Sequence, residues 1–518
     1  TCDVWMLTFK IGSLLMKQRV LVAAITAAVL APAVQASGYK LNEQGAAGAG
    51  NAYAGRAAIV EDASVVFYNP AGMVKLKRAE VTVGASYVMP VGSFELDSYT
   101  NAAGKTYTAE DLGPYSDGGN FLSSAAIPYG YFAMPINEKF AAGFGIFVPF
   151  GTNTNYDDDF IGGVFADETQ LTSIEFQPAV AYRVNDQFSV GFGLDITYMK
   201  GLLSKQLDTV PYNELLKYSF ESTDPRFGKE PVDVSGSGLA YSDYEGFENH
   251  YEVEGDDWQV GYNLSLMWDI NSDITLGVSY RSEMEFTLKG DSEFKQSEGV
   301  VGLTQSPADI PAAGVTAGDY IIAPVDGATG SVANQSSKVP LTTPQSLTVS
   351  YAHQLTEKLQ LVAGATWTQW SVFENFDVIS TESTTGMMET LSGLGDGYIG
   401  HIEENWVDTT AVAIGANYQL NEDWLLRTGY ANDQSPVTNT YRTARVPDND
   451  REWLSAGANY RINEDLDVDF AFSYLFFEDV KINEYERNLD GSIKSSTELN
   501  GEYSMDAMAI SLQVNYKL

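Results

Sequence analysis

The sequence predicts an all-β protein, a 14-stranded antiparallel transmembrane β-barrel with an N-terminal lumenal segment of short helices and loops. Three observations carry that prediction. Apolar residues alternate with small or polar ones over runs of about ten residues, longer than the five or six usual in soluble strands. A polar turn recurs between such runs, as PINEKF (135–140), VNDQF (184–188), INSDI (270–274), LTEKL (355–359), LNEDW (420–424) and YRINEDLDV (460–468). The chain also carries an export signal, yet no later stretch has the roughly 18 consecutive apolar residues that a membrane helix needs.

Residues 1–15 lie upstream of a natural start methionine and read as over-extended translation. Residues 16–36 read as a secretory signal peptide: the basic run Met16-Lys17-Gln18-Arg19, the apolar run 20–34, and a cleavage site at Val34-Gln35-Ala36. The sole cysteine, Cys2, falls before that site, so the mature chain has no disulfide framework. Residues 37–78 do not alternate. They are rich in Gly and Ala, with a turn at Asn69-Pro70-Ala71-Gly72. Such a segment either fills the lumen or hangs outside as a tail. A barrel of this size otherwise leaves a channel, which favours the lumen.

The barrel is expected over 79–518, with strands near 79–90, 125–136, 139–150, 171–184, 188–200, 257–270, 274–288, 340–355, 358–370, 405–420, 424–432, 451–462, 466–477 and 503–518. Phe188, Val190, Phe192, Leu194, Ile196 and Tyr198 share one face of the fifth, against Ser189, Gly191, Gly193, Asp195 and Thr197 on the other. Apolar outside and polar or glycine inside is what lipid demands, and closure leaves no backbone group unpaired. The six short turns then lie at one end and seven long loops at the other. Asn and Asp suit turns because their side chains bond the backbone just ahead.

In the third strand, Pro149 stands between Gly145 and Gly151. Proline gives no hydrogen to a ladder, so it marks either broken pairing or the strand end. Two long loops are unusually apolar. The first (201–256) holds Leu202, Leu203, Leu207, Leu215, Leu216 and Phe220, and the second (289–339) holds Leu303 and Ile321 among others. Apolar loop surface of that extent points to a ligand groove or to loops packing on each other.

A net charge of −39 excludes a basic nucleic-acid surface. The three histidines, His250, His353 and His401, fall in no nucleophile or metal motif, which speaks against an enzyme. The acidic run Asp157-Asp158-Asp159 reads as a solvated loop rather than a metal site.

The mature start Ser37-Gly38-Tyr39 followed by LNEQ, the stretch AGAGNAYAGRA, DASVVFYNPAGM, YRSEMEFTLKGD (280–291), DQSPV (433–437), VPDNDREWLSAGANY (446–460) and DVKINE (479–484) resemble the FadL-type long-chain fatty acid transporters of Gram-negative outer membranes, the OMPP1/FadL/TodX family. That resemblance implies a monomeric outer-membrane protein among lipid and lipopolysaccharide, with no cofactor and no metal. It implies hydrophobic acids held first in a loop groove and then in a lumenal site beside an N-terminal hatch, where Ser37, Gly38, Tyr39, Asn69, Pro70 and Ala71 are expected. Exit is implied sideways at the kinked third strand, at Gly145, Val148, Pro149 and Gly151. For a carboxylate it points to Lys200 and Lys205, with Arg56 a further candidate, although alternation turns Lys200 toward lipid. A family lysine after the ninth strand is replaced by Asp377. The alternatives are a channel for aromatic hydrocarbons within the same family, and a general diffusion porin.

Overall fold

The computed structural model describes residues 38–101, 104–110, 112, 115–206, 233–234, 239–240, 249–296, 301–305, 320–324, 335–383, 389, 392–395 and 397–518. Its wall has fourteen antiparallel strands: β1 (Glu80–Thr100), β2 (Ala125–Pro135), β3 (Phe140–Phe147), β4 (Glu168–Arg183), β5 (Phe188–Gln206), β6 (Asn249–Asp269), β7 (Ile274–Arg281 and Met284–Gln296), β8 (Gln335–Thr343 and Ser346–Gln354), β9 (Leu359–Thr368), β10 (Thr409–Gln419), β11 (Trp424–Asp433), β12 (Arg451–Arg461), β13 (Leu466–Phe477) and β14 (Ile493–Lys517). Each pairs with its chain neighbours, and β14 returns to β1 from Glu80↔Lys517 to Thr100↔Glu498, which closes the ring. The two halves of β8 are parted at Pro344-Gln345, where proline cannot join the ladder.

Several strands outrun their expected ends. β1 continues to Thr100 instead of stopping near 90, and β14 begins at Ile493 instead of 503. β5 runs on to Gln206 and β7 to Gln296. A change of polarity explains the shortfall. In the lower part of β1, Thr82 and Ser86 point inward while Val81, Val83 and Tyr87 face out. Beyond Pro90 the alternation persists with its chemistry reversed: Phe94 and Leu96 are buried, and Ser93, Glu95 and Asp97 are exposed. β14 reverses at the same height, since Ala507 is the register partner of Pro90. Below that level the outer face is apolar, as Met508, Ile510, Leu512, Val514 and Tyr516 show. The wall thus stands in lipid below and in water above, where its inner face becomes the core of the loop end.

The six turns are one structure repeated. In five, an Asn carboxamide oxygen follows an aliphatic residue and accepts from amides two or three residues on. Asn185 Oδ1, for example, takes Gln187 N at 2.8 Å and Phe188 N at 2.9 Å. Thr356 Oγ1 does the same work in the sixth. The aliphatic residues themselves, Ile136, Val184, Ile270, Leu355, Leu420 and Ile462, are exposed and form an apolar rim at the turn end.

Residues 38–78 are packed inside the wall. They form two short helices, α1 (Ala46–Ala49) and α2 (Val65–Tyr68), and a 3₁₀ turn, Pro70–Lys75. Their partners come from all round the ring: Thr82 of β1 on Ala63 N, Ser265 of β6 on Ala71 N, Ser350 of β8 on Ala57 N, and Gln513 of β14 on Ala46 N. Wall glycines let the segment's backbone approach. A Cβ at Gly277 would lie 1.8 Å from Ala57 O, and one at Gly429 would lie 2.1 Å from Asn51 O. The inner alternation of small and polar residues is therefore fitted to a filled lumen.

Candidate functional site: a window, an apolar cavity and a loop cleft

β2 and β3 pair only from Gly130↔Ile146 down to Pro135↔Ala141. Above that level β2 keeps its other neighbour, with Tyr87↔Ala126 and Val88↔Ala125 in register. Residues 125–129 therefore present an edge that β3 does not cover. After Phe147 the chain turns inward through Val148-Pro149-Phe150 and bonds residues 39–44 instead. Pro149 O accepts Leu41 N at 2.9 Å, Tyr39 O accepts Gly151 N at 2.8 Å, and Val148 O accepts Gln44 Nε2 at 2.5 Å. The chain then rejoins β4 over Gly151–Asn155, and a single bridge, Leu122↔Thr154, closes the wall above. The sequence supplies the cause. Pro149 sits in the departing chain and Pro128 in the uncovered edge, and neither can donate to a ladder. The result is a window in the wall. Tyr87 and Ala126 are exposed outside it, and Ala125, Ile127 and Val148 pack behind it.

Arg281 fixes the lower margin of the window. Its guanidinium bonds Glu175, and reaches Asp195 at 2.8 Å and Gln177 at 3.1 Å. It lies over the rings of Phe67 in α2 and Phe147 at the end of β3.

Residues 38–42 start in an aromatic nest. Tyr39 is fully buried, its ring centroid 4.8 Å from Trp370, 5.6 Å from Phe373 and 5.6 Å from Trp406. Its hydroxyl donates to Thr342 O at 2.8 Å, and Gly38 N donates to Asp448 Oδ2 at 3.0 Å. Trp406 is held in turn by Glu404, which also accepts from Thr443. Burial pushes the Glu404 carboxyl up to about 8. Beside Tyr39 lies a cavity of about 520 Å³ whose wall is chiefly aliphatic, with Leu171, Leu202, Leu203, Leu288, Val339 and Leu341.

Above it, at the loop end, is a cleft of about 850 Å³. Leu203 and Val253 belong to both spaces, so the two share a wall. The cleft has an apolar side of Val164, Phe165, Val378 and Ile399, and a charged side where Lys205, Arg442, Arg445 and Arg487 stand among Glu403, Glu484 and Glu486. Two of these cations are spoken for: Lys205 lies 3.6 Å from Glu486 and Arg487 lies 3.4 Å from Glu403. Arg445 is buried against Thr169 Oγ1 at 3.2 Å, and its Nε has no hydrogen-bond partner among the described residues. Burial lowers its pKa from the ordinary value. His401 completes the lining, with Nδ1 2.6 Å from Asp377 Oδ1.

This barrel has relatives. The family profile described as outer membrane protein transport protein (OMPP1/FadL/TodX) matches residues 27–518. The chain belongs to the OMPP1/FadL/TodX family. A Neisseria meningitidis serogroup B protein named as an outer membrane protein is 31% identical over 493 residues, covering 95% of this chain and 96% of that one. The long-chain fatty acid transport protein of Escherichia coli K12 is 27% identical, covering 89% and 92%. Among solved structures, a Pseudomonas aeruginosa FadL homologue superposes with a TM-score of 0.71 at 24% identity, covering 92% of this chain and 99% of that one. The Ralstonia pickettii toluene transporter TbuX gives 0.52 at 17%, covering 88% and 94%. This chain is thus an outer-membrane transport protein.

Within this FadL-family barrel, the residues singled out in the sequence fall in different places. Gly38 and Tyr39 anchor the hatch start, while Ser37 lies outside the described residues. Asn69, Pro70 and Ala71 line none of the cavities described and form a strut instead. Asn69 donates to Ala57 O and Leu266 O and accepts from Ala71 N, which Ser265 also holds. Gly145, Val148, Pro149 and Gly151 lie at or beside the window. Leu202 and Leu203 line the apolar cavity. Leu207, Leu215, Leu216 and Phe220 lie outside the described residues. Leu303 and Ile321 fall in the paired strands Val301–Gln305 and Tyr320–Pro324, without described side chains. Lys200 projects outward and pairs with Glu254 at 2.9 Å, so it does not reach the lumen. Arg56 is committed inside the hatch to Glu61 at 3.0 Å and the ring of Tyr68. Of the three cations proposed for a carboxylate, only Lys205 faces a cavity. The sequence reading passed over Lys40, Arg442, Arg445 and Arg487. The loop arginines gave no signal, since they stand in polar stretches with no period of their own.

Proposed function

We propose that this protein takes up long-chain fatty acids across the outer membrane. The acid docks in the loop cleft, passes to the lumen beside the hatch, and leaves sideways through the window between β2 and β3. The observation that carries the reading is the two-sidedness of the cleft. Val164, Phe165, Val378 and Ile399 suit an alkyl chain, and the arginines beside them suit an anionic head. A carboxylate taken from water needs such donors, whereas an aromatic hydrocarbon has no use for them. The name of the Escherichia coli relative agrees with it. The window supports lateral exit because its outer flank, Tyr87 and Ala126, lies below the level at which the outer face turns polar. A second reading, transport of small aromatic hydrocarbons, is favoured by one feature alone, the largely aliphatic wall of the cavity beside Tyr39.

Equilibrium binding of oleate and of toluene to the detergent-folded mature barrel separates the two. Oleate binding in the micromolar range or tighter, with toluene weaker, is the expected outcome. Toluene binding without oleate binding would replace the first reading by the second.

A further inference from the structure

On the face of residues 38–42 opposite Tyr39 lies another cavity. One side presents the hydroxyls of Thr348, Thr366, Thr368 and Thr409, and Thr348 and Thr366 share a hydrogen bond of 3.0 Å. The other side is apolar, with Ala52, Ala413, Ala431 and Trp453. Lys40 lines it. The chain is bridged there to Phe150, so neighbouring side chains leave on opposite sides, Tyr39 to its nest and Lys40 to this space. Among the described residues no carboxylate lies within ion-pair distance of the Lys40 ammonium. Asp433, which shares the cavity, is held by Arg451 at 2.9 Å. Burial pushes the Lys40 amine down to about 8, with Asp433 opposing and the Arg281 guanidinium adding to the fall. An ammonium so placed is short of a counter-charge, and a ligand carboxylate supplies one.

The apolar side does not end at the cavity. Ala52, Ala431 and Trp453 belong to one packed cluster with Leu41, and that cluster continues to Val148, Ala125 and Ile127 behind the window. We propose that Lys40 receives the acid head of the transported amphiphile in this cavity, with the tail lying along the apolar run toward the window. The inference rests on the uptake reading and adds to it the residue that selects an acid.

The test compares oleate with oleyl alcohol, which has a similar chain and no charge. Binding is measured at pH 7 and pH 9.5 on the full mature chain in detergent, as wild type, Lys40→Met and Lys40→Arg. Heat-modified migration on gels checks that each variant has folded. Wild type is expected to hold oleate about tenfold or more tighter than the alcohol at pH 7, the range of a charged hydrogen bond. The preference shrinks at pH 9.5, because the free amine loses its proton above about 8. Lys40→Met is expected to lose the preference while binding the alcohol as before, and Lys40→Arg to keep it at both pH values. An acid preference that survives in Lys40→Met overturns the role of Lys40 and leaves the uptake reading standing. Wild type that binds neither compound overturns both.

Discussion

At Gly38 one missing carbon decides how the hatch is seated. The residue has φ +59°, and a Cβ there would lie 2.5 Å from Trp406 and 2.9 Å from Trp370. Both backbone and space therefore require glycine. Gly38→Ala is expected to unseat Tyr39 and break the hydrogen bond from the residue 38 N–H to Asp448 while leaving the wall intact. Limited proteolysis near residue 38 becomes faster, oleate affinity falls about tenfold, and heat-modified migration stays unchanged. Unaltered cleavage in the variant would falsify the role given to the aromatic nest. This residue was visible in the sequence by resemblance, but its reason was not, because Trp370 and Trp406 lie more than 300 positions away. Lys40 was hidden differently. A lysine two places from a glycine reads as solvated, and only the fold shows that this segment runs inside a barrel. Asn69, Pro70 and Ala71 stood out in the sequence for a different reason. Their conspicuous turn chemistry serves the hatch's own corner.

Among the elements, the hairpins were the most legible and the window only half so. Each hairpin ends in the same side-chain-capped turn, and a local signal survives without any knowledge of neighbours. The upper parts of β1 and β14 were missed because alternation there exchanges its polar and apolar sides. A chain that reads apolar-out in lipid reads as a polar loop once the outside is water. Pro149 marked where β3 ends, but the inward turn to Leu41 and Tyr39 depends on residues about 110 positions earlier. The window makes an experiment possible at its lower lip. Gly130 pairs with Ile146, and a Cβ on it meets nothing within 4 Å. Gly130→Trp is expected to fill the outer side of the opening. Fatty acid uptake by cells then slows several-fold, while oleate affinity of the purified protein stays within about twofold of wild type. An uptake rate that does not move would place the exit elsewhere.

At the scale of the whole molecule, filling matters more than closure. Fourteen strands enclose room for an aqueous channel, and residues 38–78 occupy it with bonds to β1, β6, β8 and β14. The intact protein in a planar bilayer is therefore expected to show no steady conductance of porin size. A large, constant open level would mean that the lumen is not blocked in the membrane. The reversal of polarity at Pro90 and Ala507 has one more consequence, and it concerns altitude. At about 3.3 Å per residue and a tilt of about 40°, the ten residues of β1 beyond Pro90 rise roughly 25 Å above the hydrocarbon, about as far as the belt itself is tall. The paired upper ends of β1 and β14 thus stand clear of the hydrocarbon, where Phe94, Leu96 and Leu499 are shielded by protein rather than by lipid.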